Sequence, residues 1–369
     1  MPARSSVLIT VLLVIVAGCG PVPAAGTRAP VGSPTGSAAS NHPVATIGSS
    51  PTTEPSPTPR VGAFPNPDGS VTVSLPARFG FAEPGDGRIW GILQYEGVGR
   101  DVVRIDPDTY ELEAVVRGLP IRPNPVAAVV VNGSIWLVGD AAGSVTQYDA
   151  TSGAVIRKIA AGPSIEPVAA YGDVWTIDHD GDSITRIDSE TGVPSPAIEL
   201  PPGSKPLTIT VVADDLMLVN GPDGSPTTWM VDPQQMKLIG TYDSTGCLKH
   251  YGHIGAAIDG LVWRQNCERT AVTIIDPRTG KRLKSFASPV APYPPLYVDG
   301  DLWLPVTGGS PGTAGLALVD PDTHEVVRTY EQSARFHEGW WFAAFDSWWR
   351  WGEGGLLRVP AETLRAAAR

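Results

Sequence analysis

The chain has 369 residues, of which 18% are charged, and carries a net charge of −11. An acidic chain with scattered Lys and Arg speaks against a nucleic-acid binder. It speaks equally against charge-driven adhesion to anionic lipid, so any membrane attachment must come from elsewhere.

Residues 1–18 read as a lipoprotein signal peptide. Arg4 supplies the positive end, and Val7–Ala17 is an apolar run of 11 residues, too short to span a bilayer. The run ends in Val16-Ala17-Gly18-Cys19, which resembles a bacterial lipobox. That resemblance implies lipid on Cys19 and cleavage before it, leaving an anchored, extracytoplasmic protein with a net charge of −12 once Arg4 is lost. Residues 19–67 are rich in Pro, Ser and Thr, as in Ser50-Pro51-Thr52-Thr53-Glu54-Pro55. Such a segment cannot bury a core and is expected to act as a disordered, semi-stiff tether. The folded domain is placed at 68–369, long enough for one large core.

Within that domain one phrase recurs seven times. A tight-turn dipeptide precedes an apolar residue and a tryptophan, and an Asp-x-x-Thr turn follows. The tryptophan slot is read as Trp90, Trp136, Trp175, Met217, Trp263, Trp303 and Trp349. The second slot is Asp106, Asp149, Asp188, Asp232, Asp276, Asp320 and, degenerately, Pro360. Successive tryptophan slots lie 39–46 residues apart, with only strand and turn signals between them, which is the period of propeller blades.

One unit shows why. Val126–Val131 is continuously apolar, as an inner strand buried on both faces should be. Asn132-Gly133 is a type I′ hairpin signal. Ile135-Trp136-Leu137-Val138 returns, and Ser144–Tyr148 alternates apolar and polar. Asp149 then opens a turn by accepting from its own downstream backbone, with Gly153 in the left-handed position. Ala154–Ala160 makes the fourth strand. The fold class expected is all-β, a seven-bladed propeller of four-stranded antiparallel blades. The seventh unit lacks a fourth strand, whereas Ser70–Leu75 lacks a partner. The N-terminal segment is therefore predicted to close the last blade as its outermost strand.

Gly133-Ser134-Ile135-Trp136, Gly300-Asp301-Leu302-Trp303, Ile275-Asp276-Pro277-Arg278-Thr279-Gly280 and Val319-Asp320-Pro321-Asp322-Thr323 carry a family likeness. The chain resembles the YVTN-type and virginiamycin B lyase-like seven-bladed propellers over about residues 70–365. Such repeats serve in binding proteins, surface proteins and a few enzymes. The lyases act through a metal with histidine and glutamate on the channel face, and no matching set aligns here.

Three groups of residues are candidates for chemistry. Cys247 and Cys267 remain once Cys19 is lipidated, and an even pair in an exported domain reads as a disulfide. His250, His253 and Glu268 could hold a metal or ligand, though a third ligand is missing from any motif. Trp340, Trp341 and Trp351 are tryptophans beyond the repeat slot, and form either an aromatic binding surface or packing for the closing blade. Asp178-His179-Asp180-Gly181-Asp182 reads as an inter-strand turn rather than a cation loop, since it lacks the terminal glutamate. No nucleophile elbow, phosphate loop or dinucleotide fingerprint occurs, and no cofactor is expected. The reading is a monomeric, non-catalytic surface lipoprotein that binds an envelope protein or a small ligand. The alternative is a metal-dependent lyase or hydrolase using the channel face.

Overall fold

The computed structural model describes residues 62–119, 127–138, 144–160, 164–221, 227–243, 256–265, 271–287, 295–307, 314–332, 340–352 and 355–367. Two strands come first, β1 (Gly62–Pro65) and β2 (Val71–Ser74). Blade 1 is β3 (Arg78–Gly85), β4 (Arg88–Tyr95), β5 (Gly99–Ile105) and β6 (Leu112–Leu119). Blade 2 is β7 (Ala127–Val131), β8 (Ser134–Val138), β9 (Ser144–Asp149) and β10 (Val155–Ala160). Blade 3 is β11 (Ser164–Ala170), β12 (Asp173–Asp178), β13 (Ser183–Ile187) and β14 (Ile198–Glu199). Blade 4 is β15 (Thr208–Ala213), β16 (Leu216–Asn220), β17 (Thr227–Asp232) and β18 (Lys237–Asp243). Blade 5 is β19 (Ala256–Ile258), β20 (Leu261–Gln265), β21 (Ala271–Asp276) and β22 (Lys281–Ala287). Blade 6 is β23 (Leu296–Val298), β24 (Asp301–Thr307), β25 (Ala314–Val319) and β26 (Val326–Gln332). Blade 7 takes β27 (Trp340–Ala344), β28 (Ser347–Gly352) and β29 (Gly355–Pro360), and the helix α1 (Ala361–Ala367) follows.

Each sheet is an antiparallel meander in chain order, except that blade 7 runs β27-β28-β29-β2-β1. The protein is a seven-bladed β-propeller. The first strands of neighbouring blades lie side by side, β3 by β7, β7 by β11, β11 by β15 and β15 by β19, and so form the inner wall. Closure is as the sequence predicts: Val71, Thr72, Val73 and Ser74 pair with Arg358, Leu357, Leu356 and Gly355. Two points correct the sequence reading. The closing strand is not outermost, because β1 pairs outside it, Gly62 opposite Ser74 and Pro65 opposite Val71. The described fold therefore includes Gly62–Pro65, inside the stretch assigned to the tether. β1 was illegible because its side chains stay largely exposed and show no buried pattern.

The second correction concerns blade 4. In the other blades the slot residue is the third after the hairpin and pairs two residues before the turn Asp, as Trp136 does with Gln147 and Trp175 with Arg186. Counted the same way, blade 4 places Leu218 in the slot, opposite Met230. Met217 points to the other side, into the core shared with Trp175. The hairpin there is Asp214-Asp215, whose residues lack the positive φ pair seen at Asn132 (49°) and Gly133 (69°). A bulge at Val211/Ala213 accompanies it.

Burial follows from this phase. All six slot tryptophans are buried, Trp136 and Trp349 completely. Each faces the following blade: Trp90 packs with Ala128, Ile135 and Leu137, and Trp136 with Val174 and Ile187. The slot is thus inter-blade packing, which one flat apolar side chain per blade suits.

Candidate functional site

Register divides the ring into two faces. One holds the two-residue hairpins between each blade's first and second strands and the Asp turns between its third and fourth. In six blades the turn Asp caps its own backbone. Asp149 Oδ1 accepts from Thr151 N (3.1 Å), Ser152 N (2.7 Å) and Ser152 Oγ (2.8 Å), and these donors hold its carboxyl below the usual range. Asp106, Asp188, Asp276 and Asp320 are depressed in the same way.

Blade-to-blade contacts also gather on this turn face. Arg278 pairs with Asp215 of the preceding blade at 2.6 Å. Arg365 of α1 pairs with Asp299 at 2.5 Å and Asp301 at 2.9 Å. Tyr171 Oη donates to Ala213 O at 2.6 Å, and Tyr297 Oη to Asp259 at 2.6 Å, with burial pushing both phenols up. Arg358 donates to Pro107 O at 3.0 Å across the closure. These groups are engaged in holding the ring.

The opposite face, here the loop face, carries the remaining connections. Blade 5 illustrates it: Ala256 pairs with Trp263, Gln265 with Val272, and Ala271 with Ala287, so those ends lie together away from the hairpin at 259–260. Strands separated by 12 residues (β18 to β19), eight (β22 to β23) and seven (β26 to β27) are all linked at that face.

The predicted residues divide accordingly. Cys19, Cys247, Cys267, His250, His253 and Glu268 lie outside the described residues. Among the described residues, no group of three or more His, Cys, Asp or Glu is placed to hold a metal ion. The 178–182 segment is a turn, with Asp178 Oδ1 accepting from Gly181 N at 2.7 Å. Asp182 accepts from Gly203 N (2.5 Å) and Lys205 N (2.6 Å), which depresses its carboxyl. Trp340 contributes its backbone to β27, and its side chain lies outside the described residues. Trp341 is interior, not on a surface: it is 5% exposed and packs edge-on against Trp348, ring centroids 4.6 Å apart. The Arg350 guanidinium sits 4.9 Å over its ring. Trp351 is half-buried, edge-on to Phe79 of blade 1 at 6.4 Å. Trp341 and Trp351 therefore pack the closing blade on its two opposite sides.

Two features escaped the sequence. Glu83, on the inner strand β3, is buried with Oε1 accepting from Val130 N of blade 2 at 2.9 Å. Its Oε2 has no partner among the described residues, and burial pushes the carboxyl up to about 8. Thr208 and Asn220, at the loop-face end of blade 4, each bury an unpartnered polar atom. Both are polar residues at the ends of otherwise largely apolar strands, which the sequence displays without saying which blade they face.

No protein family model matches the chain, and no curated protein matches it. Solved structures do. Virginiamycin B lyase from Staphylococcus aureus is similar at 16% identity and a TM-score of 0.55, over 81% of this chain and 98% of that one. The dihydro-heme d1 dehydrogenase NirN, in complex with DHE, is similar at 14% identity and a TM-score of 0.58, over 84% and 72%. BamB from Moraxella catarrhalis is similar at 13% identity and a TM-score of 0.50, over 78% and 87%. The likeness is one of fold, and the named activities differ among these proteins.

Proposed function

We propose that the chain is an exported lipoprotein, held to the membrane by lipid on Cys19, whose propeller is a non-catalytic binding module in the cell envelope. The observation that carries this reading is the asymmetry of the two faces. The turn face spends its polar groups on the ring itself, whereas the loop face carries long connections of unequal length on a rigid support, the usual arrangement for recognition. The partner is an envelope protein or a small ligand, and the propeller acts as a monomer. Cys247 and Cys267 form a disulfide in this reading. The test is capture from detergent-solubilised membranes by the full lipidated chain, beside a variant with residues 244–255 replaced by Gly and Ser. A partner lost in the variant supports the loop face, and a partner held equally by both overturns it.

A second reading keeps the metal-dependent lyase or hydrolase. Its support is that residues 244–255 and 266–270, which include His250, His253 and Glu268, link strands at the same end of blade 5. Elemental analysis of the purified chain decides it: stoichiometric metal lost on His250→Ala favours catalysis, and metal-free protein removes that reading.

A further inference from the structure

The seams between blades are not alike. Among the described residues, six carry a slot indole, and the seam between blades 4 and 5 carries Leu218 instead. Its apolar cluster is Val212, Leu216, Leu218, Ala257, Val262 and Ile275, with Met230 against it. Two residues beyond the slot, toward the loop face, the other early blades stay apolar. Blade 1 has Ile92 paired with Val102, blade 2 has Val138 with Val145, and blade 3 has Ile177 with Ile184. Blade 4 has Asn220 paired with Thr228, and Thr208 on the inner strand beside them. Across the seam, alternation from Val262 and Ile275 puts Arg264 and Thr273 on the facing side of blade 5.

Two of these polar groups, Thr208 and Thr228, are built into the interior, and Asn220 is half-buried. Thr208 is 8% exposed and Thr228 1%. Thr228 Oγ1 donates to Asn220 Oδ1 at 3.0 Å, which fixes the amide and leaves its NH2 to point elsewhere. Neither Asn220 Nδ2 nor Thr208 Oγ1 has a partner among the described residues. Burying such donors unmatched is costly, and an apolar pair would fill the same place, as it does in blades 1 to 3.

We propose that the loop-face half of the blade 4–blade 5 seam is a binding site for a small ligand bearing a carboxylate. Asn220 Nδ2 and Thr208 Oγ1 donate to its oxygens, and Arg264, whatever else it bonds, sets positive charge on the opposite wall. The proposal rests on the reading that the loop face is the binding face, and names one site and one ligand chemistry within it.

The test is thermal melting of the full chain with acetate, succinate or citrate, against sodium chloride at matched ionic strength and against glucose. A carboxylate should raise the melting temperature by several degrees in a saturable way. Asn220→Asp, equal in shape but repelling an anion, should abolish the rise. Thr208→Val should raise the ligand-free melting temperature while weakening the response, since it removes an unmatched hydroxyl. A rise equal in wild type and Asn220→Asp, a rise with glucose alone, or no rise with any of the three carboxylates overturns the proposal. This readout is a small-molecule shift, so its failure is separable from failure of the loop-exchange capture, which reads a protein.

Discussion

Glu83 has one oxygen bonded across a blade boundary and the other buried without a partner among the described residues. Desolvation is the larger influence on it, and the Val130 amide opposes it only in part. Its folded value near 8 lies above the ordinary 4.5. A raised value means the folded state holds the proton more tightly. The group's contribution is therefore fully present below pH 4.5 and is lost as pH rises through 8. Glu83→Gln should flatten the stability profile in that window, where the native carboxyl contributes a slope of up to ~1.4 kcal/mol per pH unit. Urea melts of both proteins at pH 5, 6, 7 and 8 check this; parallel profiles would refute it. Two glycines separate strain from space at the same scale. Gly133, at φ 69°, has open room for a Cβ, so Gly133→Ala should cost only about 1–2 kcal/mol of left-handed strain. Gly153, at φ 70°, would drive a Cβ into the Val115 backbone of the preceding blade, so Gly153→Ala should cost clearly more. Denaturant titration of the pair ranks them, and equal losses would contradict the close approach.

At the scale of strands, the hairpins and Asp turns were legible because their signals are local: a Gly at positive φ, or a carboxylate bonding amides two and three residues on. The closing strand was legible by arithmetic, one unit short of a strand and one strand short of a unit. β1 was not, since a four-residue exposed edge has no pattern to show. Blade 4 was misread by one residue because Asp214-Asp215 has neither the glycine of blades 1, 2, 3, 5 and 6 nor the positive φ pair that Phe345-Asp346 keeps in blade 7. These differences predict unequal truncations. Removing residues through Pro65 deletes a mostly exposed strand and should leave a soluble, cooperative fold. Removing residues through Leu75 exposes the edge of β29 and takes Val73 out of the core it shares with Leu356 and Trp349. That chain should aggregate or melt well below the first, by light scattering and calorimetry. The proposed Cys247–Cys267 bridge predicts a loss of about 2–4 kcal/mol in Cys247→Ser. Melting unchanged by reductant would remove the bridge.

At the scale of the molecule, ring architecture came from a period, and a period is a long-range statistic that survives local errors. The candidate site did not come that way. Whether Asn220 faces blade 5 is decided by inter-blade packing, which a single sequence does not display. Trp341 could be read as surface until the Trp348 contact placed it inside. Attachment is also a property of the whole molecule. Val7–Ala17 would span only ~16 Å as a helix, against a hydrocarbon core of ~30 Å. No helix among the described residues is long and apolar enough to cross a membrane. Net negative charge gives no attraction to anionic headgroups. The lipobox-like Val16-Ala17-Gly18-Cys19 makes lipid on Cys19 the attachment proposed, with residues 20–61 as a tether reaching at most ~150 Å when fully extended. Cys19→Ser should move the protein from the membrane to the soluble fraction. The melting temperature of its propeller should not change, because the ring closes through β2 and not through the anchor. A variant that stays with the membrane after a high-salt wash would mean that another element holds it there, and the binding face would then need to be sought against that surface.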